Sequence, residues 1–287
     1  VPVMGAHVKN SGKLYVVATP IGNLQDMSPR AVEVLSSVPV IAAEDTRHSK
    51  KLLAHFGVGT RLVALHDHNE RSMAGTLVQR LGQGEDVALI SDAGTPLISD
   101  PGYILVRMAR AAGIDVLSVP GPSALTAALS VAGLPTDRFR FEGFLPAKQA
   151  ARRQRLAELA TETVTLVFYE SSHRIVDSLA DMAGCLGASR EAVVARELTK
   201  VFETVRAGTL GDLCRETGED TRQQKGEFVV MVQGAAMDET ALDEQVRRTL
   251  AVLLEVLPLS QAAALAAKIT GVAKNRLYEY GLKIKDA

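Results

Sequence analysis

The sequence predicts an α/β protein with a parallel-sheet first domain, a mixed-sheet second domain and a small helical extension. Three observations carry this. Strand-like and helix-like segments alternate with short connections through the first 130 or so residues. Strand signal then dominates as far as Gln233, and the remainder is almost wholly helical. Alternation with short links means βαβ units, hence parallel strands covered by helices on both faces. The expected boundaries are 12–137, 138–236 and 237–287.

The elements follow in order. "KLYVVATPIGNL" is a buried strand that breaks at Thr19-Pro20. "SPRAVEVLSSV" is a helix with Ser28 as N-cap and Pro29 in its first turn. "PVIAAEDT" is a strand ending in two carboxylates, and "RHSKKLLAHFG" is a helix stopped by Gly57. "RLVALHDH", "DVALISD" and "IDVLSVPG" are strands. "ERSMAGTLVQRLGQG", "GYILVRMARAAG" and "PSALTAALSVAG" are the helices between and after them. The alternation stops near "GLPTDRFRFEGFLPAK". Beyond it come a basic helix, "QAARRQRLAELA", and the strand-rich segments "TVTLVFYE", "EAVVARELT", "FETVRAGTL" and "GEFVVMVQG". The last fifty residues read as helices, "ALDEQVRRTLAVLLEVL" and "SQAAALAAKITGVAKNRLYEYGLKI".

Composition bounds the function. The chain has 287 residues, 47% of them hydrophobic, and a net charge of −1, so a nucleic-acid partner has to be held by local basic patches. Cys185 and Cys214 have neither CxxC spacing nor a histidine pair nearby. They argue for a reducing, cytoplasmic compartment and against a cysteine zinc site. No run of about 18 apolar residues exists to span a membrane, and "VPVMGAHVKNSG" shows no apolar secretory core.

In an open parallel sheet, ligands bind beyond the carboxyl ends of the strands. "LISDAGTPLISDPG" (Leu89–Gly102) lies there. Gly94 and Gly102 permit close backbone approach or positive φ, while Pro96 and Pro101 stiffen the loop. It offers amides, carbonyls and Asp92 to a ligand. The first loop, "ATPIGNL", has neither the G-x-G-x-x-G of a dinucleotide site nor a phosphate-binding P-loop. "VPGPSALTAAL" presents Ser123 and a helix N-terminus with free amides. "AEDTRHS" sets Glu44, Asp45, Arg47 and His48 at a strand end, where Asp45 or Thr46 equally serves as an N-cap. "FYESSHRI" brings Tyr169, Glu170, His173 and Arg174 to another strand end. "ARELTKVFE" adds Arg196, Glu197, Lys200 and Glu203, a site or an exposed ion-pair face.

These motifs occur together in a known order. "VATPIGNLQDMSPRAVEVL", "AEDTR", "ISDAGTPLISDPG", "VPGPSALTAAL", "FEGFLP", "FYESSHR", "ARELTKVFE" and "GEFVV" closely resemble the ribosomal RNA small subunit methyltransferase I family, a branch of the class III, tetrapyrrole-methylase fold. The resemblance spans about Leu14 to Gln233, and the tail fits it. It implies S-adenosylmethionine bound in a cleft between two domains, no metal, a homodimer, and methylation of a cytidine ribose 2′-hydroxyl in the decoding region of small-subunit (16S) ribosomal RNA. Carried onto this chain, the cofactor positions are Asp92, Gly94, Thr95, Pro96, Ile98, Ser123 and Ala124. Those of the second domain are Phe144, Tyr169, Leu198, Gly226, Glu227 and Phe228. Pro20 and Asn23 flank the cleft on the RNA side.

Methyl transfer from a sulfonium needs in-line positioning rather than a metal. A ribose hydroxyl needs a base or a stabilising cation. The candidates are Asp45, Glu170, His173 and Glu197, with Arg47 or Lys200 as electrostatic partner, and the sequence does not choose among them. RNA phosphates call for cations, for which "KQAARRQR" offers Lys148, Arg152 and Arg153. The tail is shaped like a helix-turn-helix, with Gly271 at the turn and Lys274 and Arg276 opening the next helix. The rival readings are a tetrapyrrole methylase on the same fold and a non-catalytic RNA-binding ribosome-assembly protein.

Overall fold

The computed structural model describes residues 11–236 and 244–285. The N-terminal segment expected to lack a secretory core falls almost wholly outside these residues, as do the first residues of the helical extension. The described residues fall into two compact units that meet in sequence at Ala235 and Ala236.

The first unit begins with the parallel sheet. Its strands are β1 (Leu14–Val17), β2 (Val40–Ala43), β3 (Arg61–Ala64), β4 (Val87–Ile90) and β5 (Val116–Val119), in the order β3-β2-β4-β1-β5. Every pairing is parallel. β2 and β4 are buried along their whole length, as the apolar runs VIAA and VALI require of a sheet covered on both faces. One face packs on α3 (Glu70–Gly82) and α4 (Tyr103–Ala111) through Leu77, Leu81 and Leu105. The other packs on α1 (Pro29–Ser37) and α2 (Thr46–His55) through Leu35 and Leu53. Ser28 caps α1, its hydroxyl accepting from the Ala31 N–H at 3.1 Å, with Pro29 in the first turn. Asp45 is the N-cap of α2.

The next helix, α5 (Ala124–Ala132), does not cover the sheet from which it emerges. Leu125, Ala128, Leu129 and Ala132 pack instead on Val167, Val193, Ala195, Val229 and Met231 of the second sheet. Its composition shows this only in retrospect: ALTAALSVA is apolar almost all round and does not single out one buried face, though Thr126, Ser130 and Val131 stay exposed.

The second sheet has β6 (Phe139–Phe144), β7 (Thr165–Ser171), β8 (Glu191–Arg196), β9 (Thr204–Thr209) and β10 (Glu227–Val232), in the order β6-β7-β10-β8-β9. β6 runs parallel to β7, and the other pairings are antiparallel. A bulge between Phe141 and Gly143 shifts the β6 register. The face opposite α5 is covered by α6 (Gln149–Leu159), α7 (Ile175–Leu186) and α8 (Leu210–Glu219), with Phe168 at its centre.

The second unit holds α9 (Glu244–Val256), α10 (Leu259–Thr270) and α11 (Lys274–Lys285) around Leu250, Ala262, Ala263, Ala266 and Leu277. Gly271 closes α10 at φ 74°, a left-handed C-cap. Three residues later α11 begins at Lys274, as the helix-turn-helix pattern predicts.

Candidate functional site

The strand order brings the carboxyl ends of β1 and β4 side by side. Their loops are stitched together: the Thr19 N–H donates to the Gly94 carbonyl at 2.9 Å and the Gly94 N–H to the Thr19 carbonyl at 3.0 Å. The loop after β4 is held from several directions. Thr95 Oγ1 donates to the Pro122 carbonyl at 3.0 Å. Asp92 Oδ1 accepts from the Asp45 N–H at 3.0 Å. Glu70, buried, accepts from the N–H groups of Gly102 at 2.9 Å and Ile104 at 2.8 Å. Gly102 has φ 128°, and a Cβ there would come 2.7 Å from Leu89 Cδ2. Leu97 and Ser99 take left-handed φ angles of 73° and 67° although neither is glycine. Such strain persists only where surroundings enforce it, and it concentrates at binding loops.

This loop forms one wall of a cavity of about 470 Å³, a size that suits a small-molecule cofactor. The opposite wall comes from the second sheet. Asp92, Gly94, Thr95 and Ile98 line it from the loop after β4, and Ser123 and Ala124 from the start of α5. Phe144, Tyr169, Leu198 and the run Gly226–Phe228 line it from the second half. Pro96 alone of the expected cofactor positions does not line it; it is buried behind the loop. Ser123 is the N-cap of α5 but makes no capping bond with its side chain. Tyr169 ties the walls together, its hydroxyl accepting from the Leu125 N–H at 3.1 Å. Phe144 stays 54% exposed, edge-on to Tyr169 with ring centroids 5.7 Å apart.

The electrostatics of the cavity are one-sided. Glu44, Asp92, Asp100, Glu170 and Glu227 line it, and no Lys, Arg or His does so among the described residues. Burial pushes the Glu44 carboxyl up, helped by the charges of Asp100 and Asp92. Burial pushes Asp100 up to about 6; a hydrogen bond with Ser91 opposes this and the Asp92 charge adds to it. Tyr169 is also raised, by burial first and by Asp100 among others. Glu170 is ion-paired with Arg174 at 3.4 Å and Glu227 with Lys200 at 2.9 Å, which leaves Glu44, Asp92 and Asp100 without an ion pair among the described residues, a lining that suits a cationic ligand. S-adenosylmethionine, with its sulfonium and ammonium groups, fits this donor set. Among the described residues no cluster of His, Cys, Asp or Glu has metal-binding geometry, and no helix is long and apolar enough to cross a membrane.

The structure redistributes the other expected residues. Glu170 is buried, with Oε1 accepting the Ser171 N–H at 2.8 Å and Oε2 the Ser178 hydroxyl at 2.5 Å; its carboxylate is occupied within the core and corrects the expectation of a free base. Glu197 accepts from Lys200 Nζ at 2.8 Å and from the Glu227 N–H at 3.0 Å. Burial alone would raise it, but these bonds with the charges of Lys200 and Arg196 hold it below its ordinary value. Lys200 also donates to Glu227 at 2.9 Å, so it is an ion-paired strut rather than an open phosphate contact. His173 is exposed and does not line the cavity. Asp45 lies outside it too, held low by the Arg47 side chain and the Arg47 N–H. Arg47 itself is 91% exposed.

Pro20 is buried and offers no surface to RNA, which corrects that expectation. Asn23 turns its Oδ1 to the Gln25 N–H at 3.0 Å. In the basic helix, Arg152 is buried and paired with Asp181 at 2.7 Å, a second correction, because an arginine chosen for RNA serves the core. Arg155 is bound to Glu142 and Glu158. Lys148 and Arg153 remain on the surface. Lys274 is exposed, and Arg276 is half-buried beside Leu277.

Sequence reasoning set Glu44 at a strand end without giving it a role, and it missed Asp100 as a site group. The second Ser-Asp pair of the loop was the available signal, but what raises these acids is the convergence of two strand ends in space.

Comparison with known proteins agrees with this architecture. Residues 13–214 match the family model of tetrapyrrole (corrin/porphyrin) methylases, and residues 240–285 match the RsmI C-terminal HTH domain. A ribosomal RNA small subunit methyltransferase I from Xylella fastidiosa (strain Temecula1) is 60% identical over 93% of this chain and 98% of its own. One from Pseudomonas aeruginosa is 58% identical over 96% and 98%. Among solved structures, the methyltransferase CobJ superposes with a TM-score of 0.58 at 20% identity, covering 79% of this chain and 95% of its own. Uroporphyrin-III C-methyltransferase from Thermus thermophilus, solved with S-adenosylhomocysteine, gives 0.52 at 18% identity, covering 78% and 98%. The parallel sheet, the mixed sheet and the matched helical extension, together with identities near 60% along nearly the whole length, establish that the chain belongs to the ribosomal RNA small subunit methyltransferase I family.

Proposed function

We propose that this protein is an S-adenosylmethionine-dependent methyltransferase acting on the ribose 2′-hydroxyl of a cytidine in the decoding region of small-subunit ribosomal RNA. The observation that carries the reading is the cavity: twelve of the thirteen positions expected to hold the cofactor line it, contributed by loops of both sheets. The names of the relatives and the bound product in one fold neighbour support it.

When bound, the cofactor supplies a methyl group on a positively charged sulfur. The chain's residues do the rest. Amides and carbonyls of the loop after β4, with Ser123 and Ala124, hold the polar ends of the ligand, while Ile98, Leu198 and Phe228 cover its apolar parts and exclude water. The carboxylates set a field that favours the cation. Fixing methyl carbon and oxygen in line then supplies much of the acceleration. Exposed Arg47, Lys148, Arg153 and Lys274, with Arg276 and Asn23, are the candidate RNA contacts. Such contacts position the backbone and make affinity salt-dependent.

The same reading takes the RNA or its assembled subunit as partner and a homodimer as the working form, and an rRNA acceptor implies a cytoplasmic site of action. The division at 137, 236 and 287 is proposed with it. The test is to map 2′-O-methyl positions in small-subunit rRNA from cells with and without the gene. Loss of one decoding-region cytidine mark is expected; an unchanged map overturns the reading.

A further inference from the structure

If the acceptor is a hydroxyl, something must receive its proton. The four acid-base candidates expected from the sequence are all engaged or misplaced. Asp45 and His173 do not line the cavity. Both Glu170 oxygens are taken by the Ser171 N–H and the Ser178 hydroxyl. Glu197 is bound to Lys200 and Glu227.

Asp100 is different. It closes the strained segment between Leu97 and Gly102, lines the cavity and is half-buried. Its immediate surroundings are Ser91, which hydrogen-bonds it, Asp92 on its own loop, Glu44 from the end of β2 and Tyr169 from the second sheet. Asp67 adds negative charge beyond Glu44. Glu70, packed under the loop, is committed to the amides of Gly102 and Ile104. Glu227 lines the cavity but is paired with Lys200, which does not line it.

Resting on the methyltransferase reading above, we propose that Asp100 is the general base of the reaction. Its carboxylate removes the hydroxyl proton as the oxygen lone pair forms the new bond to the methyl carbon. The carbon–sulfur bond breaks, and its electrons stay on sulfur, which changes from sulfonium to neutral thioether. The proton passes from Asp100 to solvent at the open side of the cavity. The surroundings have a role here. Burial first, with the Asp92 charge adding to it, raises Asp100 to about 6, close enough to neutral for it to be both ionised and basic under working conditions. A cation beside it would have depressed it, and none lines the cavity among the described residues.

The test is single-turnover methyl transfer at saturating cofactor, with isolated small subunits as acceptor, from pH 5 to 8.5. Cofactor affinity is measured alongside by calorimetry. Wild type is expected to show a rate limb rising with pH, with an apparent pKa below the value of about 6 of the free site, because the bound sulfonium favours the carboxylate. Asp100→Asn should lose about 100-fold or more in rate, with cofactor Kd within about threefold. Asp100→Glu should recover part of the rate with a shifted limb. If Asp100→Asn transfers methyl within about threefold of wild type, or if rate and affinity fall together in the Asn and Glu variants alike, Asp100 is not the base. If wild type binds cofactor but leaves the subunit unmethylated, the rRNA reading fails and the base assignment with it.

Discussion

The side chain of Lys200 lies across Gly22: a Cβ built on Gly22 would come 2.4 Å from Lys200 Cγ and 2.7 Å from its Cε. The contact joins the loop after β1 to the loop after β8, with the lysine ammonium pinned by Glu197 and Glu227 beyond it. Gly22→Ala is therefore expected to push the strut aside and weaken cofactor binding about tenfold. Lys200→Met keeps the stem and loses the ion pairs, and should cost less. Calorimetry on both variants checks the order.

Glu70 holds the loop after β4 from beneath through two backbone amides. Glu70→Ala leaves those buried donors without an acceptor, at a cost of about 1 to 3 kcal/mol. Denaturant unfolding should show this loss, with cofactor affinity falling in parallel because the cavity wall is released.

Two adjacent arginines should behave oppositely. Arg152 is buried against Asp181, so Arg152→Ala leaves a buried carboxylate short of its partner and should destabilise by about 3 to 5 kcal/mol. Arg153→Ala removes a side chain that is mostly exposed and 3.7 Å from the same aspartate. It should leave stability within about 0.5 kcal/mol and reduce RNA affinity, measured by filter binding.

Asp100 also links stability to pH. Its folded pKa of about 6 lies above the ordinary aspartate value of about 3.9, so the native state binds its proton more tightly than the unfolded chain. It thus costs stability above pH 6, and the cost is relieved as pH falls from 6 toward 4. Discounted for its partial exposure, the cost is on the order of 1 kcal/mol. Asp100→Asn should raise the melting temperature at pH 8 and match wild type near pH 4, by scanning calorimetry.

In the extension, Lys274→Ala should weaken RNA binding at every sequence and lower the slope of log K against log salt by about 1. Unchanged affinity and slope would remove the tail from the RNA surface.

The strand and helix order of the first half is legible because apolar runs of four residues, VIAA and VALI, leave little choice in a doubly covered sheet. The loops that line the cavity are legible from their glycines and prolines. The destination of α5 is not, since a helix apolar almost all round does not say which sheet it covers. Nor are α8, whose N-cap Thr209 accepts from the Asp212 N–H in an otherwise charged stretch, and the bulged β6. The roles of the acids are the least legible. In sequence Glu170 ends a strand-like run and Asp100 sits in a Gly/Pro-rich loop, and neither pattern assigns a role. Only the fold shows that both line one cavity and that the Glu170 carboxylate is consumed by Ser171 and Ser178.

Because α5 seats on strands that follow it, the chain emerges from the ribosome in an awkward order. Its last receiving strand ends about 100 residues after the helix does. At roughly 5 to 20 residues per second that is a delay of about 5 to 20 s. For that interval a nearly all-apolar segment has no native partner, which makes the nascent first half a natural client for chaperones. It also means that a gene split near residue 137 should give two pieces that are soluble only when produced together.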